Sequence, residues 1–415
     1  MTSRERILAA VNHKEADRVP IDLGSMRSTG MSAITYNKLM KEFGWKDPCL
    51  LYDFQQQLAY VGPNLRKRFH VDSMDIGEAF IGDINKDWKD WKLPDGSKCK
   101  IPNYVDARIQ ENGTISLFDS DGVEVGQQPK GSLYVDQVHF PYGDEERIPE
   151  ILDEKVYSHT LWDVPALPFN LDLINNNDDY NLFVENIKKL RRESDKALMI
   201  SIGHSFFEFG CYIRNTENFL CDLYLDPSGV DRLLGMLEER YLARLERILH
   251  DVADDIDIVQ FGDDLGTQRG LWFSPEVMRE LFIPRYKALF DYVHKNSNAK
   301  VFMHSCGSIT DILGDLIDIG LDIINPVQTT AYNMDPLFLK EQFGRDVTFW
   351  GGGCEVQGLL TTGSPKEVED QVKRRIEILG KDGGFVFNQI HNILANVPVE
   401  NVVKMYDTAY EYGWY

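Results

Sequence analysis

The chain has 415 residues, with 44 Lys and Arg against 66 Asp and Glu, and a formal net charge of −22 at pH 7. At 43% hydrophobic and 27% charged it reads as an ordinary globular protein, long enough for one large barrel or two domains. The acid excess is spread along the chain without a basic run, which excludes nucleic-acid binding by phosphate neutralisation, and no apolar stretch reaches the roughly 18–20 residues of a membrane span.

Residues 3–12 predict a helix with Ser3 as N-cap and Ile7, Leu8 and Val11 on one face. This charged start lacks the apolar core and small-residue cleavage site of a secretory leader. Six scattered cysteines (49, 99, 211, 221, 306 and 354) form no disulfide framework, so the expected setting is a reducing cytoplasm. Arg18–Asp22 reads as a short strand running into the loop Gly24–Gly30. Between about 84 and 145, short alternating runs are punctuated by Asp95-Gly96, Asn112-Gly113 and Asp121-Gly122, dipeptides that favour hairpin turns. The runs 107–110, 114–118, 123–125 and 132–138 predict an antiparallel meander inserted in a larger single domain spanning 1–415.

From about 195 onward, strand-length apolar runs alternate with amphipathic stretches. The strands are 197–202, 256–261, 300–304, 321–325, 347–350 and 384–387, and the helices 226–252, 274–296, 308–319, 335–343, 365–380 and 399–412. Buried strands alternating with helices imply a parallel sheet, and this many units favour an α/β fold of the (β/α)8 TIM-barrel type. Each strand is followed by polar or glycine-rich residues: His204, Asp263 and Asp264, His304 and Cys306, Asn325 and Gln328, Cys354 and Glu355, then Asn388, His391 and Asn392. In a parallel barrel these points share the C-terminal rim, where active sites of that fold sit. Solvated turns are the plain alternative, but this set is richer in amides and metal donors than a generic loop.

His304-x-Cys306 with Cys354 offers three N and S donors, the pattern of a catalytic zinc with an open fourth position; two unrelated core thiols are the competing reading. Asp263 and Asp264 are candidates to complete the shell or to handle protons. His204, Asn325, Gln328, Asn388, His391 and Asn392 are candidates to line the substrate pocket. Cys211 and Cys221 read as core residues of a helix, and no nucleotide fingerprint is present.

Arg4-Glu-Arg-Ile-Leu, Asp17–Ile21, His304-Ser-Cys-Gly-Ser308, Asp322–Gln328, Phe349-Trp-Gly-Gly352 and Phe387-x-x-x-His391-Asn392 together resemble the uroporphyrinogen decarboxylase superfamily. The resemblance implies a (β/α)8 barrel. The decarboxylase branch is marked by an Arg-rich segment after the first strand, where this chain has Arg27 alone. The zinc-dependent corrinoid methyltransferase branch is similar in its His-x-Cys and distant Cys, in whose places stand His304, Cys306 and Cys354. That branch implies Zn2+, a small methylated donor, and cobalamin carried by a separate corrinoid protein, since an Asp-x-His-x-x-Gly motif is absent here. Demethylation of a methoxylated donor, with an aromatic one among the candidates, is the leading expectation. Methylation of a thiol and decarboxylation of a carboxylated ring are the alternatives, and a homodimer is a candidate assembly.

Overall fold

A computed structural model describes residues 1–150, 159–161, 177–201, 203 and 205–415. Seven strands form one parallel sheet in chain order: β1 (Ser73–Asp75), β2 (Ala197–Ser201), β3 (Ile258–Gly262), β4 (Lys300–His304), β5 (Ile323–Asn325), β6 (Thr348–Trp350) and β7 (Phe385–Val386). Both faces are apolar, as a parallel sheet covered on each side requires. Met199, Ile258, Phe302, Ile323, Trp350 and Val386 pack together in the lumen of the curled sheet. Their neighbours along the strands, such as Ile200, Val259, Met303 and Phe349, join the larger core beneath the helices.

The helix α1 (Ser3–Val11) corks the lumen with Ile7, Ala10 and Val11. It lies at the N-terminal strand ends, where Arg4 N–H donates to Asp195 O and Gly384 N–H donates to Ala10 O. Thr2, rather than Ser3, caps it: the Thr2 hydroxyl accepts from Glu5 N–H and the Glu5 carboxylate accepts from Thr2 N–H. The predicted strand at 18–22 makes single bridges only, because Pro20 has no N–H to give. Those bridges occupy a telling place. Phe387 N–H donates to Pro20 O, Asp22 N–H to Phe387 O, and Asp72 N–H to Ile21 O, so the segment joins β7 to the residue before β1. The result is a TIM-barrel-like α/β fold.

Outer helices occur at Pro227–Val252, Thr310–Asp318, Pro336–Phe343, Pro365–Leu379 and Val399–Tyr412, within two residues of the predicted bounds. The predicted helix 274–296 is interrupted by a π-turn at Met278–Phe282, just ahead of Pro284. Helices Ala33–Phe43 and Asn177–Glu193 are outside the predicted set, and the helical stretch expected around Cys211 and Cys221 forms two helices, Phe207–Arg214 and Thr216–Leu225. Cys211 is half-buried and packs against the core, whereas Cys221 is exposed, which corrects its placement there: it falls on the outer face of its short helix. An antiparallel sheet runs in chain order through Asp106–Ile109, Ile115–Phe118, Glu124–Gln128 and Asp136–Gln137, and a hairpin pairs Trp88–Lys92 with Lys98–Pro102. No helix among the described residues is long and apolar enough to cross a membrane.

Candidate metal centre

His304 closes β4 and is 7% exposed. Its environment fixes its chemistry. The Asn325 amide donates from Nδ2 to Trp350 O (2.7 Å), which turns Oδ1 toward His304 Nδ1 at 2.5 Å. A carbonyl-type oxygen only accepts, so His304 donates to it through Nδ1, which in the neutral ring leaves the lone pair on Nε2. That nitrogen lies 3.4 Å from Cys306 Sγ, 3.4 Å from Ser28 Oγ and 3.5 Å from Asp264 Oδ1.

Two loops hold this corner together. Cys306 N–H donates to Asp264 Oδ1 (2.9 Å), and Gly307 N–H to Gln328 Oε1 (2.7 Å). Gly266 and Gly307 meet backbone to backbone: a Cβ on Gly307 would lie 2.3 Å from Gly266 C, and one on Gly266 would lie 2.7 Å from Cys306 O. From the other side comes His391, at φ 65°, a left-handed conformation that non-glycine residues rarely adopt. Ligand atoms of His304, Cys306 and His391 all lie within 4.8 Å of one another. Bonds of 2.0–2.3 Å around a tetrahedral ion set its ligands about 3.3–3.8 Å apart, so the donor set and spacing fit zinc after small adjustment. Burial and the neighbouring His304 push the His391 imidazole down to about 4, leaving it neutral at pH 7. Burial, with Asp264 and Glu208 beside it, pushes the Cys306 thiol up.

Cys354 is not in this grouping. After Gly351 and Gly352, both at positive φ, the chain turns and Cys354 is fully buried, its Sγ 4.0 Å from Glu355 O and its field set by Glu355 and Arg375. Asp263 is also removed from the mouth. Its carboxylate accepts the N–H groups of Phe206, Phe207 and Glu208 and the Tyr286 hydroxyl. Burial still raises it to about 6. Asp264, by contrast, lies against both His304 and Cys306.

Of the residues expected to bind substrate, Gln328 and His391 line the mouth cavity, as does Asn392, whose amide is engaged by Gly30 N–H and Gln56 Oε1. Asn325 acts on His304 instead, and Asn388 is fully buried with Nδ2 on Asp22 O. His204 lies outside the described residues. Glu208 escaped the sequence reading: burial and the two aspartates keep its carboxyl well above the usual range, next to Cys306. Its position follows the Asp263 contacts, which no motif announces.

Cys306 and His391 open onto a cavity of about 540 Å3, with His304 behind them. Leu133 and Tyr134, from the loop before the last antiparallel strand, form one wall, and Trp272 another. Among the predicted aromatics, Phe206, Phe207 and Phe209 are core packing, and Trp272 faces the cavity at 43% exposure.

Residues 155–412, more than half the chain, match the family described as "Uroporphyrinogen decarboxylase (URO-D)". The chain belongs to this family. Members named uroporphyrinogen decarboxylase include one from Pelobacter propionicus, 24% identical over 54% of this chain and 63% of that protein, and one from Carboxydothermus hydrogenoformans, 27% identical over 56% and 64%. Each match spans less than two thirds of the relative's own length. A solved "methyltransferase from Methanosarcina mazei" superposes over 99% of both chains with a TM-score of 0.56 at 14% identity, a likeness of fold.

Proposed function

We propose that the chain is a zinc-dependent methyltransferase, moving a methyl group between a small methoxylated compound and the cobalt of a corrinoid held by a separate protein. The observation that carries this reading is the meeting of His304, Cys306 and His391 at one edge of an open cavity. Three N and S donors with a free position facing a pocket are the arrangement of catalytic rather than structural zinc. His391 takes the third place that the sequence reading gave to Cys354.

Zinc bound there would act as a Lewis acid on the ether oxygen and stabilise the oxyanion that leaves when the methyl group departs. The residues supply the rest. Asn325 keeps the His304 lone pair directed at the centre, as outer partners of ligating histidines do. Asp264 fixes the Cys306 backbone. The glycine contact between residues 266 and 307 holds the two loops in register. Tyr134 and Trp272 wall the donor in.

The curated relatives favour a second reading, decarboxylation. Elemental analysis separates the two. About one zinc per chain is expected, lost in Cys306→Ala and His391→Ala and retained in Cys354→Ser. Loss in Cys354→Ser with retention in His391→Ala would restore the ligand set His304, Cys306 and Cys354. Methyl transfer from a methoxylated donor to cob(I)alamin, followed in the visible spectrum, tests the reaction. A zinc-free protein that releases CO2 from uroporphyrinogen would overturn the reading in favour of decarboxylation.

A further inference from the structure

The walls of the mouth cavity discriminate between ligands by charge. At about 540 Å3 the space falls within the roughly 300–1,000 Å3 range of small-molecule sites. Leu133, Tyr134, Trp272 and Val356 offer apolar and aromatic surface for a flat ring. Besides the metal corner, the polar side chains are four neutral amides, Gln268, Gln328, Gln357 and Asn392, and the threonines Thr267 and Thr330, with one carboxyl, Glu355. Gln328 has its carbonyl oxygen on Gly307 N–H, and its NH2 makes no hydrogen bond to other described residues.

No lysine or arginine is among the described residues that line the cavity. Arg269, next to the lining residue Gln268, is exposed and outside the lining; Arg27 lies 3.5 Å from Asp53, and Arg375 donates to Thr329 Oγ1. The Glu355 carboxyl is pinned by the N–H groups of Gly358 and Leu359, so it cannot swing away from an incoming anion. Sites built for carboxylates pair them with guanidinium or ammonium donors; this one sets an acid and four amides in that place.

We infer that the methyl donor is an uncharged aryl methyl ether of single-ring size, bearing a neutral group that accepts a hydrogen bond from Gln328, and that ring carboxylates are selected against. The inference rests on the methyl-transfer reading for the ligand's purpose, but its test reads binding alone. The zinc-loaded full-length protein is titrated at pH 7 by calorimetry with 2-methoxyphenol, with 4-hydroxy-3-methoxybenzoate, and with the methyl ester of that acid. The phenol and the ester are expected to bind at least tenfold more tightly than the acid. Gln357→Arg, which places a cation on the wall, is expected to shift the ratio at least tenfold toward the acid. Equal or tighter binding of the acid by the wild-type protein, or binding of none of the three, overturns the inference. Preference for the neutral rings without later transfer to cob(I)alamin would sink the methyl-transfer reading and leave the charge selection standing.

Discussion

Asn325 decides which nitrogen of His304 is available, and it does so from a fully buried position. Asn325→Ala is expected to lower zinc affinity about 10–100-fold, measured by competition with a chelating dye, with the fold retained by circular dichroism. Unchanged affinity would mean that β4 alone holds the ring. A second residue-scale effect lies at the end of β1. Burial, aided by Glu78 and Asp22, raises the Asp75 carboxyl to about 7. The native chain therefore keeps a proton there that the unfolded chain loses near pH 4. Stability from this group is complete below about pH 4 and lost as pH rises toward 7. Asp75→Asn should remove that dependence, so the variant gains on the wild-type protein across this window in urea titrations; a constant difference would refute it. At this scale the sequence was partly legible. His304 and Cys306 stand two apart at a strand end, and their spacing announced them. The nearness of His391 to this pair could not be read, because the side-chain directions at Cys354 and His391 follow from positive φ angles at Gly351, Gly352 and His391 itself.

The anchor built on Asp263 belongs to the scale of elements. It draws the start of the helix Phe207–Arg214 and the helix bearing Tyr286 onto the end of β3. Asp263→Ala leaves four buried donors unpaired and should destabilise the protein by at least about 3 kcal/mol, whereas Tyr286→Phe should cost about 1–2 kcal/mol. Equilibrium unfolding reads both. A fully stable but inactive Asp263→Ala would restore the catalytic role expected from sequence. The regular elements were legible because their signals are local: apolar runs for β2 to β7, and Ser364-Pro365 with Glu367 as a capping box for the helix that follows. β1 was not, since Ser73-Met74-Asp75 is short and two-thirds polar, and it becomes a strand only by pairing with β2.

Over the whole molecule, closure of the fold depends on a charge cluster far from the mouth. Asp72 accepts from Arg6 Nη1 (2.7 Å), Arg18 Nη1 (2.8 Å) and Ile21 N–H (2.9 Å), all with little exposure. It ties α1 and the segment 18–22 to the start of β1. Asp72→Ala leaves the buried Arg18 guanidinium without a carboxylate, while Arg6 keeps Asp17, and should cost about 3–5 kcal/mol in urea unfolding. A loss below 1 kcal/mol would show that the backbone bridges alone suffice. Barrel-like architecture was legible from the alternation of strands and helices, and the seam was not, because Pro20 hides a strand that pairs one residue at a time.

The contact between Gly266 and Gly307 separates what can vary in this protein from what cannot. A methyl group on either residue would wedge the two loops apart and move Cys306 away from its partners. The cavity walls at Leu133, Tyr134 and Gln357 sit on other stretches of chain, and Trp272, whose N–H donates to Leu265 O in the loop of Gly266, contributes its side chain. Exchange of those side chains leaves that seam untouched. A library randomised at these four positions should thus yield altered ligand preferences on an unchanged metal corner, while one randomised at the two glycines should yield only losses.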